Sequence, residues 1–475
     1  MAGTISPTDK VFLPGSLQYE KLRKAFINAN VPLKYPREIH QPACVQDVID
    51  AVNRAKEFGI PIGVRSGGHL FTCMSLWKDG LLIDTSNLNR QVEYEEKTQT
   101  ITYGPAVRVC EISEKLEKLG RFFPHGHAPS VAMGGFSLAG GQGFFMRGWG
   151  ATVDQWVTGL EVVVPDGSLI RANASENADV FWAARGSGQG FFGVVTKFCA
   201  RTIPARKFYQ RQRTFSIGLN GKLFNEVLTL AIEQNEKTPK YGTEVAVCTF
   251  FPEKFNPTIE GDEISEPSSL MMSITAAAYV DSISEAETLL SAFDYVPDGL
   301  AKVVAGPAPV ILKSWKEVFQ EQDMLVPYGN GEIWHIDSIP NDPSIPLPEM
   351  IKAIKPSQTQ LPTRQSVGVI YIGDTYPDVE KMAFSLPQQY YISTFTCTKN
   401  PTKIPALRKW MRKVYTEAEK VACERELDQA RALAEKRTIF GLALSYNSAN
   451  DKADNTKAQC PPKVHGAHVR LGPFS

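Results

Sequence analysis

Apolar residues recur at helical spacing between residues 41 and 61. Val45, Val48, Ile49, Val52 and Ala55 fall on one face of a helix. Gly59 follows at a C-cap position, and Pro61 blocks continuation. Val109, Ile112, Leu116 and Leu119 predict a second helix closed by Gly120, and some helix is expected within residues 17–29. The β-branched run Ile60, Ile62, Val64, the segment 80–85 and the alternating segment 98–103 predict strands. Residues 158–164, a turn at Asp166-Gly167 and the return through Leu169, Ile170 and Arg171 predict a hairpin. A short helix around Phe181 and Trp182, then a glycine turn, leads to a strand over 193–198.

From about residue 205 glycines thin out and strands alternate with amphipathic helices. Strands are expected over 243–251, 270–280, 331–339 and 366–372. Ser284 and Glu287 read as a capping box opening a helix through Phe293. Residues 401–437, rich in Lys, Glu, Arg and Ala, predict a solvated helix pair, and the polar residues 445–475 a loop. The layout is a glycine-rich half, about 40–205, and a sheet-plus-helix half, about 206–430.

Composition narrows the partners. A chain of 475 residues exceeds what one core usually supports. Its 51 basic and 51 acidic residues cancel, and no basic stretch points to nucleic acid. No run of apolar residues is long enough to span a membrane. Residues 1–19 lack the charged and apolar regions of a secretory signal, so a cytoplasmic location is expected. Eight cysteines without a C-x-x-C pair read as free thiols rather than zinc ligands, and no metal site is expected. The sequon Asn173-Ala174-Ser175 reads as chance in that setting.

The glycines carry the candidate chemistry. In I-P-I-G-V-R-S-G-G-H-L (60–70), Gly67 and Gly68 allow tight backbone, whose N–H groups can form an anion site. Arg65 offers a positive fork suited to phosphate, and His69 an imidazole at the rim. Residues 121–150 hold eight glycines set among Phe, Met, Leu and Trp. That composition predicts a buried, ordered segment against which a large ligand's backbone contacts are made.

Four pieces stand in one order: R-S-G-G-H (65–69), G-H-A-P-S-V-A-M-G-G (126–135), G-G-Q-G (140–143) and D-V-F-W-A-A-R-G-S-G-Q-G-F-F-G-V-V-T (179–196). Together they resemble the berberine bridge enzyme-like flavoproteins of the vanillyl-alcohol oxidase superfamily. The resemblance is specific over about 40–205. It implies an α+β, two-domain flavoprotein. Residues 1–205 would form a PCMH-type FAD-binding domain with its core at about 36–205. Residues 206–430 would form a substrate-binding domain of antiparallel sheet covered by helices, and 431–475 a segment returning to the FAD domain. It further implies that His69 is bonded through a ring nitrogen to the 8α-methyl carbon of FAD, which raises the flavin's potential. Backbone at Arg65, Ser66, Gly67 and Gly68, and at Ser130, Val131, Gly134, Gly135, Gly140 and Gly141, would cradle the pyrophosphate and ribityl chain, with Val195 near the adenine or its ribose.

The chain departs from the family at three places. A second anchor, a Cys in many members, is Ala128 here, so the flavin is expected to be singly attached; His127 next to it reads as a polar neighbour. A Tyr common two residues beyond the anchoring His is Phe71. The family's C-terminal Y-x-N-Y has only Ser445-Tyr446-Asn447 as a counterpart.

In relatives a strand of the second domain carries a base over the flavin in a G-x-M-x-E-I pattern. Here Gly331-Glu332-Ile333-Trp334-His335-Ile336 puts His335 at that place. On a strand Glu332 and Trp334 share one face, Ile333 and His335 the other. His335 suits proton abstraction at neutral pH, and reads equally as a packed strand histidine. Tyr371, Tyr390 and Tyr391 are further pocket candidates. The implied function is an FAD-dependent oxidoreductase, an oxidase passing hydride from an alcohol, phenolic or secondary-metabolite substrate to FAD and on to O2. Two alternatives stay open: a dehydrogenase using another acceptor, and a non-redox metabolite-binding or cyclising protein. A Rossmann reading fits badly, because its G-x-G-x-x-G should open one helix.

Overall fold

The computed structural model describes residues 10–423 apart from 260, 265–267, 379 and 385–387. The end of the expected 401–437 helix pair, the 431–475 segment, Ser445-Tyr446-Asn447 and Cys460 lie outside the described residues.

The chain opens with a small sheet of β1 (Val11–Phe12), β2 (Glu38–His40), β3 (Ile62–Arg65) and β4 (Leu81–Asp84), ordered β1-β2-β4-β3. Helix α1 (Leu17–Arg23) precedes β2, and α2 (Val45–Phe58) crosses between β2 and β3. The spacing of its apolar residues explains where α2 lies. Val48, Ala51, Val52 and Ala55 are buried against Leu81 and Ile83. Gly59 ends the helix at φ 62°, a conformation costly for any residue with a Cβ. At the other end Asp47 accepts from the Ala43 and Cys44 N–H groups and pairs with Lys10 at 2.7 Å.

A second layer contains β5 (Val92–Glu95), β6 (Thr100–Tyr103), β7 (Arg121–Phe122), β8 (Val157–Val163), β9 (Leu169–Asn173), β10 (Val194–Arg201) and β11 (Ile203–Pro204). Five of these form an antiparallel sheet in the order β5-β6-β10-β8-β9, and β7 pairs with β11. Helices α3 (Val109–Lys118), α4 (Met133–Leu138), α5 (Met146–Trp149), α6 (Thr152–Gln155) and α7 (Ala178–Ala184) punctuate it. The glycine-rich stretch is buried and ordered, as expected: Met133, Phe144, Phe145 and Trp149 all belong to one core.

The third layer is an antiparallel sheet of β12 (Lys207–Gly218), β13 (Thr243–Phe250), β14 (Leu270–Val280), β15 (Ile311–Lys313), β16 (Ile333–Pro340), β17 (Val367–Thr375) and β18 (Gln388–Thr398). Its order is β15-β12-β14-β13-β17-β18-β16. Helices α8 (Phe224–Glu236), α9 (Ile283–Leu289), α10 (Asp298–Ala301), α11 (Trp315–Leu325), α12 (Leu347–Thr359) and α13 (Ile404–Ala418) accompany it. Val245, Val247, Ile339, Ile370, Ile372 and Ile392 pack with Val227, Ile354, Met411 and Tyr415 of α8, α12 and α13. The opposite face turns to the glycine-rich half, where Ala277 and Tyr279 join Phe122, Phe145 and Trp149. The α+β class, with an antiparallel sheet covered by helices, is what the structure shows.

One local expectation is corrected. The cap of α9 is Ser282, whose side chain accepts from the Glu285 N–H, rather than Ser284 with Glu287. β14 ends at Val280, so the helix starts as soon as the chain has turned.

Buried polar groups clamp the two halves. The Arg147 guanidinium donates to the Asn235, Thr238 and Pro239 carbonyls at 2.6, 2.8 and 3.1 Å and to Thr243 Oγ1 at 2.8 Å. Asn28 donates to the Trp334 carbonyl and accepts its N–H, at 3.0 and 3.1 Å. His125 lies in the same seam, edge-on to Phe144 and Trp315, and burial pushes its ring down to about 4. A folded value below the unfolded one of about 6.5 means that between the two the unfolded chain binds the extra proton, so stability falls as pH falls through that window. Going from pH 7.5 to 5 should cost roughly 2 kcal/mol through His125 alone. Urea midpoints at the two pH values check it: the loss should be smaller by that amount in His125→Gln.

Candidate active site

β3 delivers Arg65 into the turn Ser66-Gly67-Gly68-His69. This turn is wedged among three other segments. A Cβ on Gly67 would stand 2.7 Å from the Ala132 Cβ. One on Gly68, at φ +66°, would stand 2.2 Å from the Ala25 carbonyl oxygen. Gly134 presses on Ser66 Oγ and Pro105, Gly140 on Phe384, and Gly141 on Thr152. These glycines are needed first for segment-to-segment approach. Gly135 differs: nothing lies within 4 Å of its would-be Cβ, and it is exposed.

Arg65, expected as a fork for phosphate, is engaged through Nε and Nη2 by Asp84. Its guanidinium is buried against Asp84, with Nε 3.0 Å from Oδ2 and a second contact from Nη2 to the same oxygen. It also stacks over Phe26 at 4.7 Å. β3 and β4 run in parallel register with Arg65 opposite Asp84, so the pair neutralises itself inside the fold. Ser66 Oγ accepts from Thr85 Oγ1 at 3.0 Å, tying the turn to the end of β4.

His69 faces the second glycine segment. Its Nε2 is 2.9 Å from Ser130 Oγ. Tyr328 lies parallel to the ring at 5.7 Å, and Phe71 meets it edge-on at 6.0 Å. Burial, aided by the charge of Arg108, pushes the imidazole down to about 4. The ring is therefore neutral at physiological pH and keeps a nucleophilic nitrogen lone pair. Arg108 also donates to the Ser130 carbonyl and lies over Tyr328 at 5.5 Å. Val131 accepts the Val109 N–H at 2.9 Å and packs against the core. Val195, opposite Val162 in the β8–β10 pair, has its side chain inside that core.

The sheet overturns the expected position of His335 over the flavin. β16 pairs with β18 without a break from Ile333↔Thr398 to Pro340↔Tyr391, so alternation along it is strict. Trp334 and Ile336 pack with Ile27, Cys397 and Phe71, toward the glycine-rich half. His335 shares the other face with Asp337 and Ile339, and Ile339 packs against α12 and α13. Tyr415 of α13 donates to the Asp337 carbonyl at 2.6 Å. Every residue of β16 is buried, so burial on the strand carries no sign of which face meets the other half.

What the structure brings together instead is a small cleft between the halves. His127, Gln142 and Met146 line it from one side, Glu244, Tyr371 and Tyr391 from the other. Tyr371 and Tyr391 are cross-strand partners. Tyr390 faces the opposite way, into the helix-side core. Glu244 was not singled out by sequence reasoning. Its only signal is parity, because it alternates with the core residues Val245 and Val247. Glu244 Oε1 is 3.0 Å from His127 Nε2, and its Oε2 accepts the Phe145 N–H at 2.8 Å. Burial, with Glu244's charge adding to it, holds the Tyr371 phenol well above its ordinary value.

These residues fit an FAD. A neutral imidazole, Ser130 and the one open glycine of the cradle, Gly135, belong to the two turns that lock together at Ser66 and Gly134. Gly135→Val should leave stability within about 0.5 kcal/mol when measured by urea unfolding in a His69→Ala background stripped of its reversibly bound flavin. In the otherwise native chain it should cut the flavin-to-protein absorbance ratio several-fold. Gly134→Val should instead destabilise in both backgrounds. Among the described residues no group of three or more His, Cys, Asp or Glu side chains could hold a metal ion, and no helix is long and apolar enough to cross a membrane.

Residues 36–173 match a sequence family described as an FAD binding domain. The chain is 37% identical over 187 residues to the FAD-linked oxidoreductase janO of Penicillium janthinellum, covering 39% of this chain and 41% of that protein. It is 38% identical over 172 residues to a xylooligosaccharide oxidase of Thermothelomyces thermophilus, covering 36% of this chain and 34% of that protein. The match thus spans well under half the length of either relative. The structure of Physcomitrella patens BBE-like 1 superposes with a TM-score of 0.69 at 20% identity, over 87% of both chains, which establishes a shared fold.

Proposed function

We propose that this chain, which carries the FAD-binding domain and the two-domain fold of the berberine bridge enzyme-like flavoproteins, is an FAD-dependent oxidoreductase. It acts as an oxidase, taking a hydride from an alcohol, phenolic or secondary-metabolite substrate and using O2 as acceptor. The relatives named as FAD-linked oxidoreductase and oxidase support this reading. The observation that carries it is the neutral His69 ring set against Ser130 in a cradle whose Gly135 is left open.

FAD, when bound, supplies the two-electron acceptor. The protein does the rest. His69 would hold the flavin by a single covalent link, since Ala128 has no thiol to form a second. The open backbone at Gly135 would lie along the cofactor. The cleft between the halves would bind and orient the substrate. Tyr371, kept neutral by burial, would donate a hydrogen bond to a substrate oxygen.

The test is anaerobic. Purified yellow protein is screened with alcohols, phenols and oligosaccharides for bleaching of the flavin band, then returned to air. Bleaching followed by peroxide release supports the oxidase. Bleaching with dye reduction and no peroxide makes it a dehydrogenase. A flavin that no candidate bleaches removes the redox reading.

A further inference from the structure

The cleft contains a carboxylate–imidazole pair that resemblance did not assign. We infer that His127, oriented by Glu244, is the group that takes the substrate's hydroxyl proton. This inference rests on the oxidoreductase reading above.

The geometry sets the direction of each hydrogen bond. Glu244 can only accept when ionised. Oε2 is satisfied by the Phe145 N–H at 2.8 Å, so Oε1, 3.0 Å from His127 Nε2, accepts from that nitrogen. His127 is thereby fixed with its proton on Nε2, which leaves the Nδ1 lone pair as the acceptor. Among the described residues Nδ1 makes no hydrogen bond. The ring is held from two sides, 4.2 Å from Phe144 and 5.0 Å from Tyr371, centroid to centroid. Both partners of the pair are 15% exposed, so the dyad is partly desolvated yet reachable from the cleft. A carboxylate holding an imidazole in one tautomer is the arrangement that makes histidine an oriented base.

The rest of the cleft fits this division. Tyr371, pushed well above its ordinary value by burial and by Glu244, stays a donor and does not compete as a base. His127 sits three residues before Ser130, which touches His69, so the base is on the segment against which the anchor rests. His335 is on the other face of the sheet, among the helices. In the step itself the hydroxyl proton goes to Nδ1 and the carbinol carbon gives up its hydrogen with both bonding electrons to oxidised FAD. The electron pair left on oxygen becomes the second bond of the carbonyl. With O2 as final acceptor, the two electrons and two protons leave as hydrogen peroxide.

Two measurements test it. The first needs no substrate. In ¹⁵N-histidine-labelled holoprotein, with seven histidines to assign, His127 should show the neutral tautomer protonated on Nε2, and Glu244→Gln should abolish that preference. A wild-type ring protonated on Nδ1 would overturn the inference, because the nitrogen not held by Glu244 would then be a donor. The second uses the alcohol that best bleaches the wild-type flavin. His127→Gln should keep its acid-stable flavin and lower the rate of flavin reduction by about 100-fold or more. Glu244→Gln should lower it by at least about tenfold, with part of the rate restored in Glu244→Asp. A His127→Gln enzyme that reduces at the wild-type rate overturns the inference and leaves the oxidoreductase reading intact. If no alcohol bleaches the wild type, that reading fails, and the base role with it.

Discussion

Alanine in place of His69 should release the flavin from the chain. Acid precipitation should leave the wild-type pellet yellow and the variant's pellet colourless, with all the flavin in the supernatant. The His69 ring is set against Ser130, and burial pushes it down to about 4, so it is neutral. Position 128, where many members of the family carry a second anchoring Cys, is alanine. The variant should still fold and take up FAD reversibly, because the glycine contacts that shape the turn do not involve the His69 ring. It should oxidise substrate more slowly at equal flavin occupancy, because loss of the ring substituent lowers the flavin's potential.

Asp84→Ala should be among the most destabilising single changes in the glycine-rich half. It leaves the Arg65 guanidinium buried without its counter-charge, a loss of about 3–5 kcal/mol. It also removes the acceptor for the Ser86 N–H, bonded to Asp84 Oδ1 at 2.9 Å. Chemical unfolding should show the full deficit. The double variant Arg65→Met/Asp84→Ala should recover most of it, because an apolar pair of similar volume is often as stable as a buried ion pair. If Arg65 were instead held for phosphate, Asp84→Ala would change flavin content and leave stability near the wild type.

The elements of the glycine-rich half were legible because its helices follow one-sided patterns. α2 needed only Val48, Ala51, Val52, Ala55 and the Gly59 cap. The substrate side was less legible for a physical reason. β16 is buried at all eight positions, so Glu332/Trp334 against Ile333/His335 could be separated into faces but not assigned to sides. Only pairing with β18 and packing against α12 and α13 placed His335 away from the cleft. Arg65 looked like a ligand for phosphate because its partner Asp84 is 19 positions away, on the neighbouring strand. The His127–Glu244 pair spans 117 positions, and no local pattern records a contact of that kind. The glycine pairs were read as room for a ligand. Most prove to be room for other segments of the chain, with Gly135 the exception among those assigned to the cradle.

One bond decides the function proposed for this chain, that between the His69 ring and an FAD. The most direct measurement is mass spectrometry of the proteolytic fragment carrying His69, taken from acid-precipitated protein. The predicted result is that fragment heavier by one flavin, fluorescent, and not cross-linked to the fragment containing Ala128. An unmodified His69 fragment from protein whose flavin has washed away would contradict it.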